Sequence, residues 1–387
     1  MKTIKKIKNK IFLFINLMVI LSLYGCLPSS PSKINESNPN QNPSFSKFKN
    51  KEFFPNDFAK NQVLSILKDE DLLWTGTTDG IYVYDSKTLK ESSNFSLPLL
   101  KGHKVIKIIK SLDQSIFAIS EQKGLYHLPP EATSFYHTGS SKMRDAIVKK
   151  GTNIIYCATS HGIDVWQNQT WRNIKVIQSL REFQSKANYL TSIAQDSSGS
   201  FWLGTEFGVF QMKGSKFSFF FGDYQIIQGS SLINKKGNSP LGGNLFYNIS
   251  TTEDGQVFFS TNGGVNILQD CKSPNSNSNW KLYDTDHTKS RMSADGIEEF
   301  SVRGNSPLPS NFISIVKKLD NDLLVGTKEG LGIFSNGKWE IQNLEKNLSG
   351  DRIFDIFVDK QENPTTAYIA TNGGLTILKQ TKKENGE

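Results

Sequence analysis

The sequence predicts an all-β protein, a seven-bladed β-propeller of four-stranded antiparallel blades, with its last blade closed by a strand from the N-terminal side. Three observations predict it. A short apolar strand, a Gly-Thr or Ala-Thr step, two residues, a Gly and a second apolar strand recur seven times with modest variation. Alternating apolar segments precede this unit and aromatic-led segments follow it, so each repeat holds four strands. The chain then ends one strand short, while a segment resembling the missing strand stands near its beginning.

The first element is not part of that ring. Residues 1–25 carry a basic run (Lys2, Lys5, Lys6, Lys8, Lys10), an apolar run over 11–23 and a small Gly25 before Cys26. This is the layout of a secretory signal peptide, and the apolar run is shorter than the ~20 residues of a membrane span. Leu23-Tyr24-Gly25-Cys26 resembles the bacterial lipobox, which implies diacylglycerol on the Cys26 thiol and Cys26 as the first mature residue. Acyl chains contribute about 0.8 kcal/mol per buried methylene, so several chains on one residue hold a protein at a membrane surface. The expected location is the cell envelope. Leu27 is not the Asp that resembles an inner-membrane retention signal, which favours the outer membrane in a Gram-negative cell.

Residues 26–44 are the lipidated cysteine and a Ser-, Pro- and Asn-rich tether with almost nothing to bury. The tether reaches at most roughly 60 Å. The signal peptide holds five lysines and no acidic residue, so its removal lowers the net charge from +8 to +3 and argues against a nucleic-acid partner. Cys157 and Cys271 remain, one expected in a strand and one in a loop of another blade, an arrangement that does not favour a disulfide.

The propeller is expected over residues 45–380, with a disordered tail at 381–387. The repeat glycines are Gly80, Gly124, Gly162, Gly208, Gly264, Gly330 and Gly374, spaced by 44, 38, 46, 56, 66 and 44 residues. Six have Thr three positions before them: Thr77, Thr159, Thr205, Thr261, Thr327 and Thr371. A tight reversal between two strands needs positive φ, which Gly adopts without a steric penalty. Around Gly124 the turn has one extra residue. Trp74, Trp202 and Phe258 fall on equivalent strand positions and read as packing between blades, and Trp171, Trp280 and Trp339 are repeat features too. An open array would need capping repeats, of which the sequence shows none, so residues 45–54 are expected to complete the last blade and remove two exposed edges.

The Trp-x-Gly-Thr-x-x-Gly pattern of residues 74–80, matched closely at residues 201–208 by Trp202, Gly204 and Thr205, resembles the two-component regulator propeller repeat. The resemblance covers roughly residues 60–380. It implies an ectodomain that senses extracellular ligands and is linked to kinases, although no kinase or helical output domain is evident in this sequence.

In such a ring the second-to-third-strand turns and the blade-to-blade connections share one face. The turns there hold Asp79, His161, Phe207, Asn262, Glu329 and Asn372. Long connections at about 221–243 and 284–310 add Tyr224 on one side and Arg291, Glu298, Glu299 and Arg303 on the other, a set suited to a polar ligand or a protein surface. Tolerated surface insertions would look the same. The loop over 272–279 belongs on the opposite face.

No catalytic constellation, metal motif or cofactor motif emerges. The five histidines (His103, His127, His137, His161, His287) are not spaced as HExxH, the Asp-rich turns lack an EF-hand pattern, and there is no phosphate-cradling loop and no GxSxG. A ring can still bring distant carboxylates together. Three functions follow: a membrane-anchored module that binds an envelope protein or polar extracellular ligand, an accessory sensor for a separate two-component protein, and, as the remote third, a lyase of the virginiamycin B lyase type using His161 with Glu206 or Glu329.

Overall fold

The computed structural model describes residues 48–54, 62–95, 97–139, 142–176, 188–228, 231–293, 296–344, 348–363 and 365–380. The expected signal peptide, Cys26, the expected tether and the expected tail lie outside the described residues.

Seven antiparallel blade sheets follow one another along the chain, with two two-stranded sheets in the connections between them, among the described residues. Blade 1 is Val63–Asp69, Leu72–Thr77 and Gly80–Asp85; blade 4, a regular one, is Leu190–Gln195, Phe201–Thr205, Val209–Lys213 and Lys216–Phe220. The inner strands neighbour each other in chain order, and the inner strand of blade 7 (Ile353–Asp359) returns to that of blade 1, which closes the ring. Closure is reinforced as expected. Strand Phe48–Phe54 pairs with Gly374–Gln380 as the outermost strand of blade 7, Phe48 opposite Gln380 and Phe54 opposite Leu375.

Burying one face of a sheet needs another sheet, and each blade finds its neighbour. The apolar clusters sit between successive blades: Trp74, Ile81 and Val83 meet Val105, Ala118 and Tyr126 of blade 2, and Trp202 meets Phe246, Val257 and Phe259 of blade 5. At the closing seam Val63, Ile66 and Leu73 meet Tyr368, Ala370 and Leu375. Trp74, Trp202 and Phe258 are all buried, so the recurring aromatics are packing residues. A fully buried side chain of this kind contributes about 1.5–3 kcal/mol.

The threonine of the repeat has a specific task. In all six copies its hydroxyl donates to the carbonyl of the repeat Gly at 2.8–3.1 Å. The same oxygen accepts the backbone N–H two residues on, at 3.0–3.2 Å. One buried hydroxyl thus ties a turn N–H to the carbonyl that follows the turn. The glycine is required as well. Gly162 has φ 119, and a Cβ there would meet the Ile174 carbonyl oxygen at 2.4 Å.

Blade 1 differs in detail. After Asp85 its fourth strand is reduced to a bridge between Tyr84 and Glu91. The Asp85 carboxylate accepts the N–H of Lys87 and both the N–H and hydroxyl of Thr88, which turns the chain before a strand can extend. Phe95 then packs on Trp74 at 4.7 Å between ring centroids. Cys157 lies in the second strand of blade 3 (Ile155–Thr159) and Cys271 in the loop after the third strand of blade 5; both are buried and free.

Candidate functional site

Antiparallel alternation puts the Thr-x-x-Gly turns and the blade-to-blade connections on one face, and hydrogen bonds between them fix that face. The N–H groups of Gly162, Gly208 and Gly264 donate to the carbonyls of Asn188, Asn244 and Asn311, each two residues before the next inner strand. The same asparagines hold the incoming chain with their side chains. Asn244 Oδ1 accepts the Gly222 N–H at 2.7 Å, Asn311 Oδ1 accepts the Thr285 N–H at 2.8 Å, and Asn188 Oδ1 accepts the Val176 N–H at 2.8 Å.

Both long connections rise from this face as β-hairpins. The first is Tyr224–Gln228 with Ser231–Lys235, and the second is His287–Ser293 with Gly296–Val302. Their bases are built alike from the same five residues, Gly-Asn-Ser-Pro-Leu, at 237–241 and 304–308. Asn238 accepts the Phe221 N–H at 2.9 Å and donates to the Phe219 carbonyl at 2.7 Å. Asn305 accepts the Asp284 N–H at 3.1 Å and donates to the Leu282 carbonyl at 2.8 Å. Asp223 and Asp286 each take the N–H of the corresponding Gly, Gly237 and Gly304. Lys236 and the Gly237 N–H hold the Asp223 carboxyl below its ordinary pKa.

The hairpins stand side by side, joined where the Gln225 amide donates to the Ser290 carbonyl at 2.9 Å. A cleft of about 670 Å³ lies along them, lined by Tyr224, Gln225, Asn234, Lys235 and Lys289 among others. Tyr224 also packs edge-on against Phe207 at 5.1 Å, and Phe221 lies 6.0 Å from both rings, so an aromatic cluster joins the first hairpin to the turn of blade 4. Planar amides, lysines and one aromatic edge can bind a polar or anionic surface.

The residues singled out in the sequence separate into two groups. Tyr224 lines the cleft and Phe207 supports it; Arg291 and Glu298 are backbone partners on the second hairpin, Glu299 lies opposite Ser290, and Arg303 follows Val302 at its base. The turn residues do different work. Asp79 accepts the Gly102 N–H, Asn262 the Leu245 N–H and Asn372 the Arg352 N–H, so three polar side chains bind the neighbouring connection. Beside Glu329, Lys328 sits over the Phe312 ring at 4.0 Å, and burial lowers its pKa. His161 Nε2 lies 3.2 Å from Asp164 Oδ1 of its own hairpin and meets neither Glu206 nor Glu329 among the described residues. Sequence reasoning missed Gln225, Asn234, Lys235 and Lys289. The repeated Gly-Asn-Ser-Pro-Leu was the available signal, because it marks two insertions of one kind.

The fold and this face define a seven-bladed propeller with a paired-hairpin rim. No protein-family model and no curated protein matches the chain. Among solved structures it is similar to the extracellular domain assigned to a hybrid two-component system of B. thetaiotaomicron, at 16% identity and TM-score 0.60, covering 86% of this chain and 41% of that one. It is also similar to a catalytically inactive virginiamycin B lyase from Staphylococcus aureus with quinupristin, at 15% identity and TM-score 0.55, covering 87% and 100%. A third is PorZ, an essential surface component of the type-IX secretion system of Porphyromonas gingivalis, at 14% identity and TM-score 0.55, covering 86% and 48%. The chain spans about two fifths of the first structure's length. At these identities the likeness is one of fold.

Proposed function

We propose that the protein is a lipid-anchored module of the cell envelope whose hairpin-bearing face binds an envelope protein or a polar extracellular ligand without catalysis. The observation that carries this reading is the pairing of two hairpins of the same build on one rim, with a polar cleft along them. Topology supports it. Phe48 pairs with Gln380 at the end of the strand away from the Gly374 turn, so the first described strand begins at the face opposite the hairpins. Likeness to extracellular domains agrees with an envelope location.

The accessory-sensor reading is a specific form of this one and draws support from the likeness to a two-component extracellular domain. The lyase reading has less, because His161 is engaged by Asp164.

In-cell crosslinking followed by purification of the intact protein tests the proposal, with Cys26→Ala as the unanchored control and each hairpin replaced by a short turn in separate variants. The expected result is one specific envelope protein, lost when either hairpin is replaced. A membrane kinase in that position would establish the sensor form. Recovery that is indifferent to the hairpins would overturn the assignment of the face.

A further inference from the structure

On the face opposite the hairpins the inner strands and their turns surround the axial channel with lysines, nearly all of them matched across blade boundaries. Lys68 meets Asp359 at 2.6 Å, Lys318 meets Asp254 at 2.7 Å, Lys360 meets Asp320 at 3.0 Å, Lys150 meets Glu253 at 2.9 Å, and Lys110 pairs with Asp69. Deeper in the channel Lys107 lies 3.5 Å from Asp145. Lys317 is different. It sits on the inner strand of blade 6 (Ile313–Leu319), partly buried, and has no hydrogen bond or ion pair among the described residues.

The carboxylates near it are committed elsewhere. Asp145 accepts the N–H groups of Ala146 at 2.9 Å and Ile193 at 3.0 Å, fastening blade 3 to blade 4. Asp355 accepts those of Ile356 at 2.9 Å and Ile66 at 3.0 Å, fastening blade 7 to blade 1. Burial lowers the Lys317 pKa and Lys107 adds to that, against the opposing charges of Asp355 and Asp145. The amine borders a cavity of about 330 Å³ walled by blades 2 to 6 and lined by Lys107, Lys150, Lys317 and Lys318 against the single acidic residue Asp145. A second depression of about 520 Å³ opens toward blades 7 and 1 and shares Lys317 and Lys318.

We propose that this channel mouth binds a small di- or tricarboxylate, with one carboxylate on Lys317 Nζ and another at the rim on Lys318 and Lys150. Such a ligand supplies the acceptor that this partly buried amine lacks and relieves its repulsion from Lys107, through charge-assisted hydrogen bonds that gain strength away from bulk water. Asn248, on the inner strand of blade 5, adds an amide to the same wall. The cavity admits a molecule the size of citrate. This site does not depend on the hairpin face, so either assignment can fail alone.

Titration calorimetry of the full chain with citrate tests it, with Lys317→Met, Lys318→Met and, as control, Lys213→Met at the exposed end of a blade 4 strand. The expected result is saturable binding of one citrate, weakened at least about tenfold in Lys317→Met and about threefold in Lys318→Met, and unchanged in Lys213→Met and in the hairpin-replaced variants. Lys317→Met should melt no lower than the wild type, because it removes an unpaired amine. Absence of saturable binding in the wild type, or binding indifferent to both lysine substitutions, would overturn the proposal; Lys318→Met decides should Lys317→Met not fold.

Discussion

In blade 4, Thr205 Oγ1 holds both the Gly208 carbonyl and the Phe207 N–H, while Asp196 accepts the N–H groups of Ser198 and Ser200 and the indole N–H of Trp202 at 2.8 Å. In blade 2 the corresponding turn is one residue longer, Ser120 stands where the threonine would be, and its buried hydroxyl has no partner among the described residues. Blade 1 shows the same looseness at its other end, where the Trp74 indole N–H is buried and unpaired. All three blades nevertheless keep their place. The motif therefore completes local polar satisfaction, and packing between blades holds the ring: Phe117, Ile119 and Leu125 of blade 2 are as buried as the matching residues of blade 4.

Substitutions that touch both halves of this comparison should separate packing from polar satisfaction. The largest effect is expected at the indoles. Trp202→Ala leaves a cavity and an unpaired Asp196 oxygen, and should cost about 3–5 kcal/mol. Trp74→Ala leaves a cavity alone and should cost about 1 kcal/mol less. Urea midpoints with unchanged slopes would measure both; equal costs would mean that the Asp196 bond contributes nothing net.

Next in size are the turn hydroxyls. Thr205→Val takes the acceptor from the Phe207 N–H, while the Gly208 carbonyl keeps the Thr205 N–H, and should cost about 1–2 kcal/mol. Ser120→Ala removes a group that is already unpaired, and should be neutral or slightly stabilising. A clear loss from Ser120→Ala in thermal melts would show that its hydroxyl has a partner in solution.

The fold was legible because its signals are local. Seven glycines and six threonines mark turns whose geometry depends on two or three residues, and the strand near Phe48 copies the segment at Lys216 and Phe217. Blade 1's missing strand was less visible, because Asp85 and Thr88 form a turn that competes with strand extension over a few residues only. The hairpin rim was legible as two long insertions carrying Tyr224, whereas its cleft depends on Gln225 meeting Ser290, 65 positions away. Nor could spacing alone show which polar residues were already used. Asp79, Asn262 and Asn372 look free in the sequence and are engaged in the ring, while Lys317 looks like one lysine of a pair and makes no hydrogen bond or ion pair among the described residues.

The smallest expected effect concerns the closing seam, whose ion pair is more buried than those at the two neighbouring blade boundaries among the described residues. Lys68 meets Asp359 at 2.6 Å and Glu362 at 3.4 Å, and Tyr368 donates to Glu362 at 2.8 Å. Partial burial alone would raise the Asp359 pKa; the Lys68 hydrogen bond, the Gln361 N–H and the Lys68 charge outweigh it and hold the folded value below the ordinary one. A carboxyl depressed in the folded state stabilises above its unfolded pKa of about 3.9, and that contribution is lost as pH falls through the lower folded value. Acid should therefore loosen the seam that joins the first blade to the last. The gap in melting temperature between the wild type and Asp359→Asn is expected to be constant from neutral pH down to about pH 5 and to narrow below about pH 4. For Lys150→Met, which breaks a pair whose Glu253 is largely exposed, the gap should be small at every pH. A Lys150→Met gap that narrowed in acid as much as the Asp359→Asn gap would make the closing seam no different from the exposed pairs around the ring.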